Sequence, residues 1–303
     1  MSLLQKTLHP ANLRRAWEAV AANEGSAGVD NITIRKWRRS WEERLVALAT
    51  AVRGNQYRPG RLRRRRIPKP GGGRRTLRIP TVTDRVLQRA VLQQLYPIYD
   101  PQFLDCSFGY RPGIGLKDAV RTVNRLRRQG FVWVLDADID DFFNQIDLPL
   151  LRQFLHKDLP DASLLPLLDL WLITWRRHGR PNKGIPMGAP LSPLLANLYL
   201  HRLDQELVGQ AIPIVRYADD FIILLRTEAQ AQRCYHLVAD LLARLKLRYE
   251  PGKTQLTSFD AGFEFLGVHF EETWYWYVWD DKRIEVRDDR TDWLFSDYGP
   301  VYD

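Results

Sequence analysis

Two acidic clusters carry the chemistry this chain could do. Tyr217-Ala218-Asp219-Asp220 lies between apolar runs at 212–215 and 221–225, which puts two carboxylates at the turn of a predicted β-hairpin. A second apolar run, 131–135, leads into Asp136-Ala137-Asp138-Ile139-Asp140-Asp141-Phe142-Phe143. Hard divalent cations take carboxylate oxygens as ligands, and Mg²⁺ is typically held by one or two carboxylates together with substrate phosphates. Two strand ends that bring their aspartates together are therefore expected to form a two-metal nucleotidyl-transfer centre. A polar hairpin turn would account for Asp219 and Asp220 alone, but not for Asp138. Two metals do not need every carboxylate in 136–141, so Asp140 and Asp141 are read as ordinary polar residues.

Periodicity gives the elements that must position these groups. Residues 11–50 read as helical, broken at Asn23-Glu-Gly-Ser-Ala-Gly-Val-Asp30, whose two glycines suit a tight loop. Segment 57–80 reads as a strand, a glycine turn and a returning strand, basic along both arms. Apolar residues at Val86, Leu87, Ala90, Val91 and Leu95 predict a helix over 84–99. Leu116, Val120, Val123 and Leu126 predict another over 115–129, stopped by Gly130. A strand over 131–139 follows, then helices near 148–156 and 163–176 and a loop over 182–190. The helix from 191 carries Pro193 in its first turn, where the missing N–H costs nothing. After the hairpin come a long helix over 228–247 and strand signals near 263–267 and 275–279. The order β-α-β-β-α-β around the acidic strands is that of a split βαβ sheet, so the fold class is α+β.

The chain has 303 residues, 45% of them hydrophobic, which is ample for a core. Its positive charge is concentrated: residues 1–80 hold 19 Lys and Arg against 5 Asp and Glu, and the remainder 26 against 31. Scattered charge would read as a solvated basic face, but basic residues concentrated beside glycine and proline make this stretch a polyanion-binding candidate, with Arg63, Arg64, Arg65 and Arg66 as its expected nucleic-acid contacts. Cys106 and Cys234 are the two cysteines, far apart, and imply no disulfide framework. The six histidines show no zinc spacing. No signal peptide and no membrane-spanning apolar run are found, so the expected setting is cytoplasmic, away from membrane.

Taken in order, the motifs resemble those of bacterial, group II intron-like reverse transcriptases across nearly the whole chain. The N-terminal extension motif resembles 23–30. The next blocks are similar to Arg66-Ile-Pro-Lys-Pro70, Arg75-Thr-Leu-Arg-Ile-Pro80 with Asp84, Arg85 and Gln88, and Ser107-Phe-Gly-Tyr-Arg-Pro112. They continue with Asp138-Ile-Asp-Asp-Phe-Phe143, Gly188-Ala-Pro-Leu-Ser-Pro-Leu-Leu-Ala-Asn197, Tyr217-Ala-Asp-Asp220, Gly252-Lys-Thr254 and Phe265-Leu-Gly267. A single such match could be accidental, but a full ordered series is specific. The resemblance implies right-hand polymerase fingers and palm, a split βαβ palm with an antiparallel sheet, and no full thumb domain. Its divisions would be an N-terminal extension and fingers over 1–110, a palm with interleaved fingers elements over 111–270, and an aromatic and acidic C-terminal segment over 271–303.

The resemblance also implies an RNA-directed DNA polymerase that uses Mg²⁺, with Mn²⁺ as a substitute, to extend a DNA or RNA primer with dNTPs on an RNA template. Asp138, Asp219 and Asp220 would be its catalytic carboxylates, with Ile139 in the metal set. Lys253 resembles the palm lysine near the pyrophosphate, a candidate general acid; a plain solvated turn lysine stays open beside it. Lys69 and Arg75 resemble the residues that hold the triphosphate, Lys as a point charge and Arg bidentately. Phe143 matches the position under the sugar of the incoming nucleotide, where a bulky ring excludes a 2′-hydroxyl. Phe142 is assigned to the core because neighbouring strand residues face opposite ways.

This chain departs from the family at Met187, where a glutamine usually precedes the Gly-x-Pro turn, which puts substrate handling in question. It also has only about three dozen residues after Phe265-Leu266-Gly267, rich in Tyr and Trp and then acidic, unlike a basic thumb. CRISPR-associated reverse transcriptases similarly lack a maturase tail, which makes a CRISPR spacer integrase complex an expected partner in spacer acquisition from RNA. The aromatic run 274–279 would either meet that partner or close the palm sheet through cross-strand pairs. Competing functions are an RNA-binding scaffold or splicing cofactor, a palm-fold nucleotide cyclase, and an untemplated or protein-primed defence polymerase.

Overall fold

The computed structural model of the protein describes residues 1–68, 72–176, 182–279 and 282–286. The chain opens with α1 (Leu3–Thr7), α2 (Pro10–Ala22), α3 (Ile34–Arg38) and α4 (Trp41–Arg53), then the hairpin β1 (Arg63–Pro68) and β2 (Arg74–Ile79). There follow α5 (Val82–Tyr99), α6 (Leu116–Arg128), β3 (Trp133–Ala137), α7 (Phe142–Gln145), α8 (Leu148–Asp158), α9 (Leu165–Trp175) and α10 (Ser192–Gly209). The last part holds β4 (Ile214–Tyr217), β5 (Asp220–Leu225), α11 (Glu228–Arg244), β6 (Gln255–Ser258), β7 (Phe263–Phe265), β8 (Val268–Glu271), β9 (Trp274–Trp279) and β10 (Lys282–Val286). Contacts divide these into two units that interleave in sequence: Met1–Gln102 with Phe143–Tyr199, and Phe103–Phe142 with Leu200–Asp303.

In the first unit α5 is the central helix. Thr81 caps it by accepting from Asp84 N, and Val86, Leu87, Ala90, Val91 and Leu95 are all buried, as their spacing implies. Asp84 also ties down the base of the β1–β2 hairpin. Its Oδ1 accepts from Tyr57 Oη at 2.6 Å, and its Oδ2 accepts from Thr81 Oγ1 at 2.8 Å and Gly60 N at 3.0 Å. Trp171 Nε1 of α9 donates to the same tyrosine oxygen at 3.1 Å, so entry and exit of the hairpin are joined through one satisfied buried network.

The second unit is built on the sheet β4-β5-β3-β6, antiparallel throughout. This is the strand order expected of β-α-β-β-α-β connectivity, with the first and third of the four strands side by side at the centre. Helix α11 packs on β3 and β5, and α6 on β4. Val134, Ile222, Leu224 and Val120 meet Phe259 and Phe270 in its core.

Some elements differ from the pattern read in the sequence. The aromatic run is β9 of a separate sheet, β10-β9-β8-β7, and does not close the acidic sheet. The cross-strand pairing expected of it is present there, with Tyr277 opposite Val268 and Trp276 opposite His269. Strand β6 is short and polar, and its pairing with β3 is a tertiary contact that overrides weak local propensity. Helix α11 stops at Arg244, and Lys246 at φ +55° turns the chain back toward the sheet. Among the described residues no helix is long and apolar enough to cross a membrane.

Candidate active site

Sheet register brings the acidic groups together. Strand β3 pairs Ala137 with Phe221 and Asp136 with Ile222 on one side, and Asp136 with Gln255 on the other. Residues directly opposed across antiparallel strands share a face, as do residues two apart on one strand. Carrying the β5 register two positions past Asp136 sets Asp138 opposite Asp220; on the other flank the register shifts beyond Asp136, where Ile139 bridges Tyr249, and Lys253 stands in the turn at 251–253 that takes up the shift. Side chains join the two segments: Lys253 Nζ reaches from that turn to 2.5 Å from Asp138 Oδ2, and Gln255 Nε2 donates to Asp136 Oδ2 at 3.0 Å. One row is therefore Asp220 and Asp138, completed by the Lys253 ammonium against Asp138, and the row behind it Ile222, Asp136 and Gln255.

The row holds more negative charge than its single ammonium can balance. Burial, then the charges of Asp136, Asp138 and Asp219, push the Asp220 carboxyl up to about 7, with Lys253 working in the other direction. Burial likewise raises Asp136, with Asp138 adding to the shift and Gln255 opposing it. Lys253 is raised, chiefly by its hydrogen bond to Asp138. Such mutually repelling carboxylate oxygens match the donor set of a hard divalent cation. Among the described residues no three His, Cys, Asp or Glu side chains already form a metal cage, and the ammonium of Lys253 takes the Asp138 oxygen a cation would use.

The hairpin turn that carries Asp219 is held from beneath. Tyr217 pairs with Asp220, so Ala218 and Asp219 form a two-residue loop, and Ala218 is left-handed at φ +60°. For a non-glycine residue that conformation costs about 1–2 kcal/mol and needs support from its surroundings. Arg216 supplies it: Nη1 donates to the Ala218 carbonyl at 2.9 Å. The same guanidinium donates to Asp204 through Nε at 2.8 Å and Nη2 at 2.5 Å, and to Ser107 Oγ at 2.7 Å. Both side chains of the Arg216–Asp204 pair have 0% exposure. Segment 106–108 runs parallel to β4, with Arg216 N donating to Cys106 O and Phe108 N to Arg216 O, both at 2.8 Å. Gly109 then abuts the turn so closely that a Cβ there would lie 2.5 Å from Ala218 N.

Asp140 stands outside the acidic row. Arg248 takes its carboxylate through Nε at 2.8 Å and Nη2 at 2.5 Å. Backbone bonds from Asp140 N to Arg248 O at 3.1 Å and from Glu250 N to Asp138 O at 2.8 Å fasten the Asp138 segment to the chain that delivers Lys253.

Asp138, Ile139, Asp219, Asp220 and Lys253 all belong to the second unit, and the other candidate residues to the first. Arg75 is exposed on β2, opposite Ile67. Met187 is half-buried, and its carbonyl accepts from Arg78 N at 2.8 Å. Phe143 is 8% exposed and Phe142 2%, both in the short helix α7, so strand alternation does not separate their roles. Lys69 lies outside the described residues. Arg63, Arg64, Arg65 and Arg66 are all exposed on β1. Arg64 and Arg66 share the face of Arg78 and Thr76, while Arg63 and Arg65 donate to Ala27 O at 3.4 Å and Ser26 Oγ at 3.0 Å.

Asp136, Gln255, Arg216, Asp204 and Gly109 are contributors that the sequence reading did not single out. A signal existed for two of them. Asp136 lies in β3 two residues before Asp138, which follows the strand's end, and Arg216 sits in a strand otherwise apolar enough to be buried, where an arginine demands a counterion.

Residues 67–270 match the family model described as Reverse transcriptase (RNA-dependent DNA polymerase). Protein YkfC of Escherichia coli (strain K12) is 28% identical over 312 residues, covering 88% of this chain and 81% of that protein. Group II intron-encoded protein LtrA of Lactococcus lactis subsp. cremoris is 35% identical over 170 residues, covering 54% of this chain and 28% of LtrA. Among solved structures, a chain of the partial Cas6-RT-Cas1--Cas2 complex is 28% identical at a TM-score of 0.49, with 81% of this chain matched to 42% of that one. Apo telomerase from Candida Tropicalis, truncated from its C-terminal domain, shares the fold at a TM-score of 0.53 and 11% identity, matching 79% of this chain and 59% of the telomerase chain.

Proposed function

The chain belongs to the reverse transcriptase family of RNA-dependent DNA polymerases, and from that premise we propose that it extends a primer with dNTPs on an RNA template by two-metal nucleotidyl transfer. The observation that carries the proposal is the row of Asp220, Asp138 and Lys253 beside the Asp219 turn, where carboxylates that repel one another gather next to one ammonium as a divalent cation and a phosphate would require.

Asp138 and Asp219, with Asp220 and Ile139, would hold Mg²⁺, or Mn²⁺ in its place. Bound there, the ions supply a lowered pKa for the primer 3′-hydroxyl and positive charge for the leaving pyrophosphate. Lys253, released from Asp138, would protonate that pyrophosphate. Lys69 and Arg75 grip the triphosphate, Phe143 excludes the 2′-hydroxyl, Met187 borders the nascent pair, and Arg63 to Arg66 follow nucleic-acid phosphates. In right-hand terms we assign 1–110 to an N-terminal extension and fingers, 111–270 to a palm with interleaved fingers elements, and 271–303 to a C-terminal segment. The setting proposed from the motif resemblance is cytoplasmic spacer acquisition from RNA beside a CRISPR integrase.

The test is extension of a DNA primer on an RNA template with Mg²⁺ and all four dNTPs, for the wild type and Asp219→Asn. Template-directed product that disappears in the variant is the expected result. Homopolymer made without template would replace this proposal with the untemplated one, and RNA binding with no synthesis would replace it with the scaffold.

A further inference from the structure

The Arg216–Asp204 pair is fully buried, and burying two charges is a poor way to gain stability, because apolar residues of the same volume would do as well or better. Its geometry suggests another use. The guanidinium fork spends two donors on Asp204 and one on Ser107, which fixes its plane, and directs the remaining nitrogen, Nη1, at the carbonyl of Ala218. Ala218 is the left-handed residue of the loop, and Asp219 and Asp220 follow it directly. On the other side, the backbone of Gly109 closes on Ala218 N. The loop is thus held at its carbonyl by a rigid planar cation, with the Gly109 backbone packed too close to its nitrogen to leave room for a side chain. Burial opposes the charge on Arg216, while Asp204 and Asp219 favour it, so the carboxylate of the loop and the cation beneath it support each other.

We propose that Arg216, oriented by Asp204 and Ser107, is the positioning residue that sets the Asp219–Asp220 loop for metal binding, an assignment that rests on the two-metal proposal above. Arg216 touches no substrate in this scheme. It acts through the Ala218 carbonyl.

The test pairs Arg216→Met with Asp204→Leu, which replaces the ion pair with apolar groups of similar size. The double variant is expected to fold with a Tm equal to or above that of the wild type. Its affinity for Mn²⁺, read by electron paramagnetic resonance of the free ion, should fall at least tenfold. The Mg²⁺ concentration for half-maximal primer extension should rise by a similar factor. Wild-type Mn²⁺ affinity in the folded double variant overturns the assignment, as does a lowered Tm with unchanged Mn²⁺ affinity, which would make the pair merely structural. If the double variant does not fold, Arg216→Lys decides. It keeps the charge but cannot span Asp204, Ser107 and Ala218 O together, so a severalfold loss of Mn²⁺ affinity is expected and unchanged affinity overturns the inference. A wild type that neither binds Mn²⁺ nor extends a primer would instead refute the two-metal proposal itself.

Discussion

Lys253 Nζ lies 2.5 Å from Asp138 Oδ2, so the carboxylate at the centre of the acidic row carries its own counter-cation. The lysine side chain is 64% exposed and the aspartate 23%, which makes this a solvent-screened pair. Pairs of that kind contribute about 0.2–1 kcal/mol. A divalent cation can displace the ammonium at little cost, and a displaced Lys253 is free to reach a phosphate.

Replacing Lys253 with Met should therefore separate two quantities. Mn²⁺ affinity should rise up to about fivefold, because the competing ammonium is gone. The rate of nucleotide addition should fall by about 10²–10⁴ if Lys253 is the general acid. Titration of Mn²⁺ and single-turnover extension check the two effects, and no change in either would return Lys253 to a solvated turn.

Asp220 gives a stability prediction with a definite sign. Its folded pKa of about 7 lies above the ordinary value of 3.8, so between these the folded protein holds a proton that the unfolded chain has lost. Stability in the absence of metal should fall as pH rises through about 7, and Asp220→Asn should flatten that trend. At about pH 8 the variant should be more stable than the wild type by roughly 1–3 kcal/mol, allowing for partial solvent access, while losing primer extension. Saturating Mg²⁺ should flatten the wild-type trend as well. Thermal denaturation at several pH values, with and without Mg²⁺, measures each of these.

How far the sequence carries can be judged from these groups. The order of strands around Asp138 and Asp219 was legible because apolar periodicity and turn chemistry are local signals. The ion pair of Asp138 with Lys253 was legible only as two separate motifs, since the turn that carries Lys253 meets the end of β3 through a long-range contact that no local signal shows. Arg216 and Asp204 went unread for the same reason: nothing local shows which charge a buried arginine meets. The aromatic run illustrates the opposite limit, where strand character was plain at Trp274–Trp279 but the sheet it joins was not.

Gly109 offers a backbone test of the site. Adding a methyl group at this position should push Ala218 away, since the contact at 2.5 Å is to backbone and cannot be relieved by a rotamer change. Gly109→Ala should lower the rate of extension at least tenfold and cost about 1–3 kcal/mol of stability. Normal activity in the variant would show that the loop tolerates displacement.

Phe143 is only 8% exposed, so truncating it is expected to cost about 3–5 kcal/mol of stability whatever its part in sugar selection. The informative readout is then a ratio, which is insensitive to the fraction of protein folded. Phe143→Ala should raise rNTP incorporation relative to dNTP at least tenfold, and an unchanged ratio would assign the ring to packing alone.

The basic hairpin should show its role in salt dependence. Each phosphate neutralised adds about 0.9 to the slope of log K against log salt on a duplex. Arg64 and Arg66 share one face of β1, whereas Arg63 and Arg65 already donate to the loop at Ala27 and Ser26. Replacing Arg64 and Arg66 together with Gln should therefore reduce the slope for an RNA–DNA duplex by up to about 1.8. The same change at Arg63 and Arg65 should reduce it less, because those side chains are partly committed to the protein. Equal slopes in the wild type and both variants, measured by fluorescence anisotropy across a salt series, would make the arginine run a solvated face with no part in holding nucleic acid.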